Sequence, residues 1–171
     1  LLPEIFALHG KWRSHQDAVI CAGRRLSWGE FIAGNHRFAH GLLSRGVKPG
    51  DRVGIVMSNG IPMLQAMMGV MAAGAVSVPI NLSVNDDALA AMLSDADVVA
   101  VVVTTDQLNR VQQLKDRWPA SLTLCIADQG DADGWLSLVS LCQDQATHAP
   151  EINIGDRYEL NIIYSSGTTG M

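Results

Sequence analysis

Aromatic residues make up only 5 % of this 171-residue chain, charged residues 17 %, and cysteine occurs three times. Cys21, Cys125 and Cys142 stand far apart, with no Cys-x-x-Cys pair. That spacing excludes a disulfide framework and offers no clustered partners for a zinc site or a catalytic thiol. Free thiols, buried in a reducing cytoplasm, are what it leaves. Basic residues are outnumbered, 12 against 17 acidic, for a net charge of −5 with no long run of either sign. A nucleic-acid partner or an anionic membrane requires a basic face, and the overall balance argues against one. The opening Leu1-Leu2-Pro3-Glu4-Ile5 lacks the basic stretch and long apolar core of a secretory leader. An unbroken apolar span is lacking as well. Residues 61–84 carry no charge, yet Pro62, Gly69, Gly74 and Pro79 interrupt them, so they read as a buried helix and then a buried strand.

What is present is a 48 % apolar composition, enough for a core, in a length that suits one domain. The spacing predicts an amphipathic helix over 2–15, with Ile5, Leu8 and Trp12 at helical intervals. A strand over 18–22 follows, and Gly23-Arg24-Arg25 turns the chain. Ser27-Trp28-Gly29-Glu30 fits a capping box that opens a helix ending near Ser44, with Gly46 as its stop. From Arg52 onward strands and helices alternate: strands over 53–57, 75–80, 98–103 and 122–126, and helices over 62–73, 86–94 and 106–117. A short helix over 135–141, an irregular connector over 147–156 and a last strand over 160–163 complete the chain. Strands separated by helices over short connections specify parallel pairing with right-handed crossovers. The expected fold is therefore α/β, a mostly parallel sheet with helices on both faces.

Directly after the last strand comes Tyr164-Ser165-Ser166-Gly167-Thr168-Thr169-Gly170-Met171. Strand followed by a glycine- and hydroxyl-rich loop is the arrangement of phosphate-binding loops. Gly167 and Gly170 let the backbone approach an anion, while N–H groups and the hydroxyls of Ser165, Ser166, Thr168 and Thr169 donate to it. In a parallel sheet this loop falls beyond the carboxyl end of a strand, where ligands bind. A flexible linker or an ordinary turn would use similar residues. The loop lacks the lysine and spacing of a Walker A sequence and is not a Gly-x-Gly-x-x-Gly loop.

The string from Tyr164 to Gly170 resembles the Tyr-Thr-Ser-Gly-Thr-Thr-Gly signature of the adenylate-forming (AMP-binding) enzymes, in particular the acyl-CoA synthetases. Two upstream elements resemble the same family in order and spacing. Leu26-Ser27-Trp28-Gly29-Glu30-Phe31 is similar to its Leu-Thr-Tyr-x-Glu-Leu element. Met71-Ala72-Ala73-Gly74-Ala75-Val76-Ser77-Val78-Pro79-Ile80-Asn81 is similar to its Ala-Gly-Ala-x-x-x-Pro-Leu/Ile-Asn/Asp element. The departures are small: Ser165 stands where threonine is commoner, and the Pro-Lys-Gly that normally follows Met171 is missing. The resemblance implies that residues 1–171 are the incomplete amino-terminal α/β subdomain of a longer enzyme, cut within its phosphate-binding loop. That enzyme would use ATP and Mg2+ to join a carboxylic acid, fatty or aryl/alkyl, to AMP, and then pass the acyl group to coenzyme A. Ser165, Ser166, Gly167, Thr168, Thr169 and Gly170 would hold phosphate, no metal site falls in this span, and the catalytic residues would lie beyond Met171. A cytoplasmic location is implied, with room for a homodimer and for peripheral membrane association, and no nucleic-acid partner. The alternatives are an amino-acid adenylation domain of a peptide synthetase and a non-catalytic nucleotide-binding scaffold of the same fold.

Other residue groups carry blander expectations. His36 and His40, four apart on one helix face, lack a third metal ligand and read as solvent-facing or capping. Met63, Met67, Met68 and Met71 read as core packing, although an acyl-binding surface would also use such residues. Asp86, Asp87, Asp95 and Asp97 read as helix-start charge and solvated ends, and Asp131 and Asp133 as loop solvation. Trp12, Trp28, Trp118 and Trp135 are scattered, with no spacing that gathers them around one ligand.

Overall fold

A computed structural model of the chain describes residues 2–130, 134–153, 155 and 157–165. Helix α1 (Leu2–Trp12) leads into an antiparallel hairpin, β1 (Asp17–Cys21) and β2 (Arg24–Ser27). The hairpin corrects one expectation: Arg24 and Arg25 belong to the returning strand, and the turn is Ala22-Gly23, both at positive φ (48° and 77°). Two consecutive left-handed residues match the twist of a two-residue hairpin turn.

Helix α2 (Trp28–Ser44) starts as the sequence predicts. Ser27 N–H donates to Glu30 Oε2 at 2.9 Å, and Glu30 N–H donates to Ser27 Oγ at 3.3 Å. It stops at Gly46, φ 90°, where Gly46 N–H donates to Leu43 O and Val47 N–H to Leu42 O, satisfying carbonyls the helix leaves open. Then come β3 (Arg52–Val56), α3 (Ile61–Ala72), β4 (Val76–Pro79), α4 (Asp86–Asp95), β5 (Ala100–Val103), α5 (Thr105–Gln113), β6 (Leu124–Ala127), β7 (Leu136–Ser137) and α6 (Leu138–Cys142). The single helix expected over 135–141 is thus a short strand followed by a five-residue helix.

β3 to β7 form one sheet in the order β4-β3-β5-β6-β7, with every neighbouring pair parallel. Side chains alternate between its faces. Val53, Ile55, Ala100, Val102 and Ile126 face α2, α3 and α6, in a core with Phe38, Leu42, Val70 and Leu141. Val56, Val101, Val103 and Ala127 face α4 and α5, in a core with Leu89, Leu93 and Val111. The β-branched run at β5 is fully buried, as a central strand covered on both faces must be. The expected α/β sheet with helices on both faces is the fold observed. The expected last strand is reduced to a single parallel bridge, Asn161 opposite Ser77. Ser77 N–H donates to Leu160 O and Ile162 N–H to Ser77 O, which adds this segment to the β4 edge.

Helix α1 is turned the opposite way from its sequence pattern. Phe6 packs against Trp28 and Phe31 (ring centroids 5.8 and 6.3 Å), and His9 stacks on Trp28 at 4.7 Å. Gly10 sits so near Ile32 that a Cβ there would lie 2.9 Å from it. Ile5, Leu8 and Trp12, the expected inner stripe, therefore point outward.

Candidate functional site

Strand order 4-3-5-6-7 has its switch point between β3 and β5, the two strands from which the chain runs in opposite directions across the sheet. The residues just beyond both strands meet there. Ser58 N–H donates to Thr104 Oγ1 at 3.0 Å, and Ser58 Oγ donates to Asp106 Oδ2 at 2.8 Å. Gln107 Nε2 donates to the same carboxylate at 2.9 Å. The Thr104 hydroxyl above all, then Gln107 and Ser58, hold the Asp106 carboxyl down at about 2 against an ordinary 3.8. Thr105 N–H and Oγ1 both donate to Asp128 Oδ1, at 2.8 and 2.7 Å, tying the end of β6 to the start of α5. The switch point is thus filled by the protein's own hydrogen bonds.

The open space lies one strand over. A cleft of about 540 Å3 is bounded by the ends of β3, β4 and the 160–163 segment. Ser58, Asn59, Asn81 and Tyr164 give it a polar side, while Met57, Met63, Leu82 and Ile163 give it an apolar one. That mixture suits a ligand with both characters. None of its lining residues, among those described, is lysine or arginine. Of the methionine group, Met63 opens onto this cleft and Met71 is buried, as core packing predicts.

Two fixtures hold the walls. Arg110 on α5 donates Nη1–H to Leu82 O at 3.0 Å and Nη2–H to Val84 O, and pairs with Asp86 at 2.7 Å, which pins the turn after β4. Tyr164 reaches α4. Its hydroxyl donates to Asp95 Oδ2 at 2.6 Å and lies 3.3 Å from Met92 O. Burial, and then the Asp95 carboxylate, push the phenol up to about 12, so it stays a donor throughout the physiological range.

Among the described residues, Ser77 Oγ and Asn161 Oδ1 are buried without hydrogen-bond partners. Both belong to the bridge that leads to the cleft.

Of the residues expected to hold phosphate, Ser165 is described and lies exposed directly after Tyr164. Ser166, Gly167, Thr168, Thr169 and Gly170 lie outside the described residues, as do Asp131 and Asp133.

The switch-point group Ser58, Thr104, Asp106 and Asp128 escaped the sequence reading. Its signal was position, since each member follows a strand by a few residues. The aspartates read as helix-start charge and solvated ends are exposed, Asp86 and Asp87 in the first turn of α4, and each also has a partner: Asp86 with Arg110, Asp87 with Arg117, Asp95 with Tyr164, and Asp97 with Arg52 and Ser121. His36 is buried, not solvent-facing. Its Nδ1 lies 2.8 Å from Thr147 O, and His40 Nε2 lies 3.0 Å from His148 O, so both rings hold the connector onto α2. The thiols are free, with Cys125 buried and Cys21 and Cys142 half-buried. Trp118 and Trp135 meet edge to face at 6.3 Å, away from the Trp28 cluster.

The AMP-binding enzyme family model matches residues 8–171. The chain belongs to the AMP-binding enzyme family. Among its curated relatives is the medium/long-chain-fatty-acid–CoA/3-oxocholest-4-en-26-oate–CoA ligase of Mycolicibacterium smegmatis, 31 % identical over 157 residues, which span 90 % of this chain and 28 % of the ligase. A linear gramicidin synthase protein of Brevibacillus parabrevis is 31 % identical over 154 residues, 90 % of this chain and 2 % of the synthase protein. The solved anthranilate CoA ligase AuaEII, in complex with anthranoyl-AMP, superposes with a TM-score of 0.91 at 20 % identity, over 98 % of this chain and 32 % of its own, a likeness of fold. The chain thus spans under a third of these AMP-binding ligases. No described helix is long and apolar enough to cross a membrane.

Proposed function

We propose that the full-length protein is an ATP-dependent acid–thiol ligase that activates an apolar carboxylic acid as its acyl-adenylate and transfers the acyl group to coenzyme A. The observation that carries this reading is the position of Tyr164, first residue of the hydroxyl- and glycine-rich string, in the lining of a cleft at the ends of the parallel strands β3 and β4.

A carboxylate is a poor acyl donor, because its charge repels nucleophiles and oxide is a poor leaving group. Attack by a carboxylate oxygen on the α-phosphorus of ATP forms the acyl–phosphate bond and breaks the bond to pyrophosphate. A thiol then attacks the acyl carbon, and AMP departs. The first step needs charge neutralised around the phosphoryl oxygens. Backbone N–H groups, the hydroxyls of Ser165, Ser166, Thr168 and Thr169, and a Mg2+ ion accompanying ATP would meet that need; none of the described residues lining the cleft is lysine or arginine. Gly167 and Gly170 would allow the backbone a close approach to the phosphates.

An apolar acid is supported by the Mycolicibacterium relative and by the Met57, Met63, Leu82 and Ile163 side of the cleft. Three free thiols suit a cytoplasmic setting.

The test is isotope exchange between pyrophosphate and ATP by the full-length protein over a panel of fatty, aryl and amino acids, followed by coenzyme A consumption. Exchange with apolar acids and thioester formation are expected. Absence of exchange with every acid overturns the reading in favour of a scaffold. Exchange with amino acids alone favours the second reading, a peptide-synthetase adenylation domain, which the equal identity to the gramicidin synthase protein keeps in view.

A further inference from the structure

The outward face of α1 concentrates what the rest of the surface lacks. Ile5, Leu8 and Trp12 are 51, 55 and 75 % exposed, and Leu2 adds 38 % beside them. Together with Ile20 on β1, residues 2–25 hold five of the seven large hydrophobics exposed among the described residues. The stripe is built into the fold, because the opposite side of α1 is fastened to α2 through Phe6, His9 and Gly10. Charge is segregated in the same stretch. Arg25 pairs with Asp17, which leaves Lys11, Arg13 and Arg24 against Glu4, in a chain whose net charge is −5. Lys11 Nζ lies 5.3 Å from the centroid of the Trp12 ring, so cation and indole sit together at one end of the stripe.

An outward apolar stripe, a terminal tryptophan and flanking basic side chains are the chemistry of a helix lying in the plane of a lipid interface. We infer that α1 docks the protein on an anionic lipid surface, with Ile5, Leu8 and Trp12 entering the headgroup boundary and Lys11 and Arg13 meeting lipid phosphates. A second copy of the chain is the poorer occupant, since a two-fold contact through this patch brings like charges together. The overall net charge concealed this face. The inference rests on α1 alone and not on the adenylation chemistry.

The full-length protein is sedimented with vesicles of phosphatidylcholine, and with vesicles in which one third is replaced by phosphatidylglycerol, at low and high salt. Partition onto the anionic vesicles about ten-fold above the neutral ones, weakened by salt, is expected. The triple substitution Ile5→Ser, Leu8→Ser, Trp12→Ser should lower it about ten-fold while pyrophosphate exchange stays at the wild-type level. The pair Lys11→Glu, Arg13→Glu should abolish the preference for anionic lipid, and it carries the test should the triple variant misfold. Four results overturn the proposal: wild-type protein remaining in the supernatant, both variants binding like wild type, Trp12 shielded from acrylamide in the lipid-free full-length protein, or a lipid-free dimer that the triple substitution dissociates.

Discussion

Replacing Tyr164 with phenylalanine removes one oxygen atom and, with it, the hydrogen bonds that tie the segment after residue 160 to Asp95 and to Met92 O on α4. The ring stays, so packing changes little. A hydrogen bond to an ionised acceptor is worth about 1.5–3 kcal/mol net. Asp95 is exposed, so solvent screening brings the value to about 1 kcal/mol. If that anchor serves to seat the loop for ATP, its loss raises the KM for ATP about five-fold with a smaller change in kcat. Pyrophosphate exchange by the full-length protein at varied ATP reads this directly. Asp95→Ala alone is a blurred test, because Asp95 closes α4, where a negative charge opposes the helix dipole. The double-mutant cycle removes that side effect. Tyr164→Phe should cost about 1 kcal/mol in the wild-type background and almost nothing beside Asp95→Ala. Additivity of the two changes within about 0.3 kcal/mol would show that the phenol does not act through Asp95, and the argument would fail.

Gly41→Ala places a methyl 2.5 Å from the Leu141 carbonyl oxygen, so α2 and α6 must part; a loss of about 1–3 kcal/mol in thermal denaturation is expected despite the better helix propensity of alanine, and an unchanged or raised Tm refutes it. Burial holds the His36 imidazole below its ordinary 6.5, against the opposing Thr147 carbonyl and in concert with His40 and His148. A lowered folded value means the contribution is present above pH 6.5 and lost as pH falls through the folded value, so the protection of amides across 147–152, relative to their intrinsic exchange rates, should fall in mild acid, and less so in His36→Gln. Asp106, held at about 2, stabilises the fold above its ordinary 3.8 and loses that contribution as pH falls toward about 2. Acid unfolding of Asp106→Asn should therefore be flatter across this window, and parallel curves would contradict the assignment.

How much of this the sequence disclosed depends on whether the signal was local. Ser27 and Glu30 are three residues apart and announce α2 by themselves, and Gly46 and Gly74 mark helix ends because only a left-handed residue closes them so tightly. The β-branched run at β5 can be buried only from both sides. Periodicity located the stripe on α1 but not the direction it faces, since which side is covered depends on Trp28 and Phe31, outside that helix. The second hairpin strand was hidden because Arg24 and Arg25 are polar on both faces. The Ser58–Thr104–Asp106 group joins residues 46 and 48 positions apart, so no spacing rule could gather it. The signature was legible as a string, and of it the described residues are Tyr164, which lines the cleft, and Ser165, which is exposed.

The mounting of that loop also bears on the order in which the molecule assembles. Tyr164 and Asp95 are 69 positions apart, and Asn161 meets the sheet through one bridge, whereas β3, β4 and β5 pair across short crossovers. Contacts that close long loops form after those that close short ones. The segment around Asn161 is therefore expected to join the β4 edge after the neighbouring strands have paired. Until it does, a newly made chain exposes the backbone of β4, so the interval before docking is when pairing with a foreign strand is most favourable.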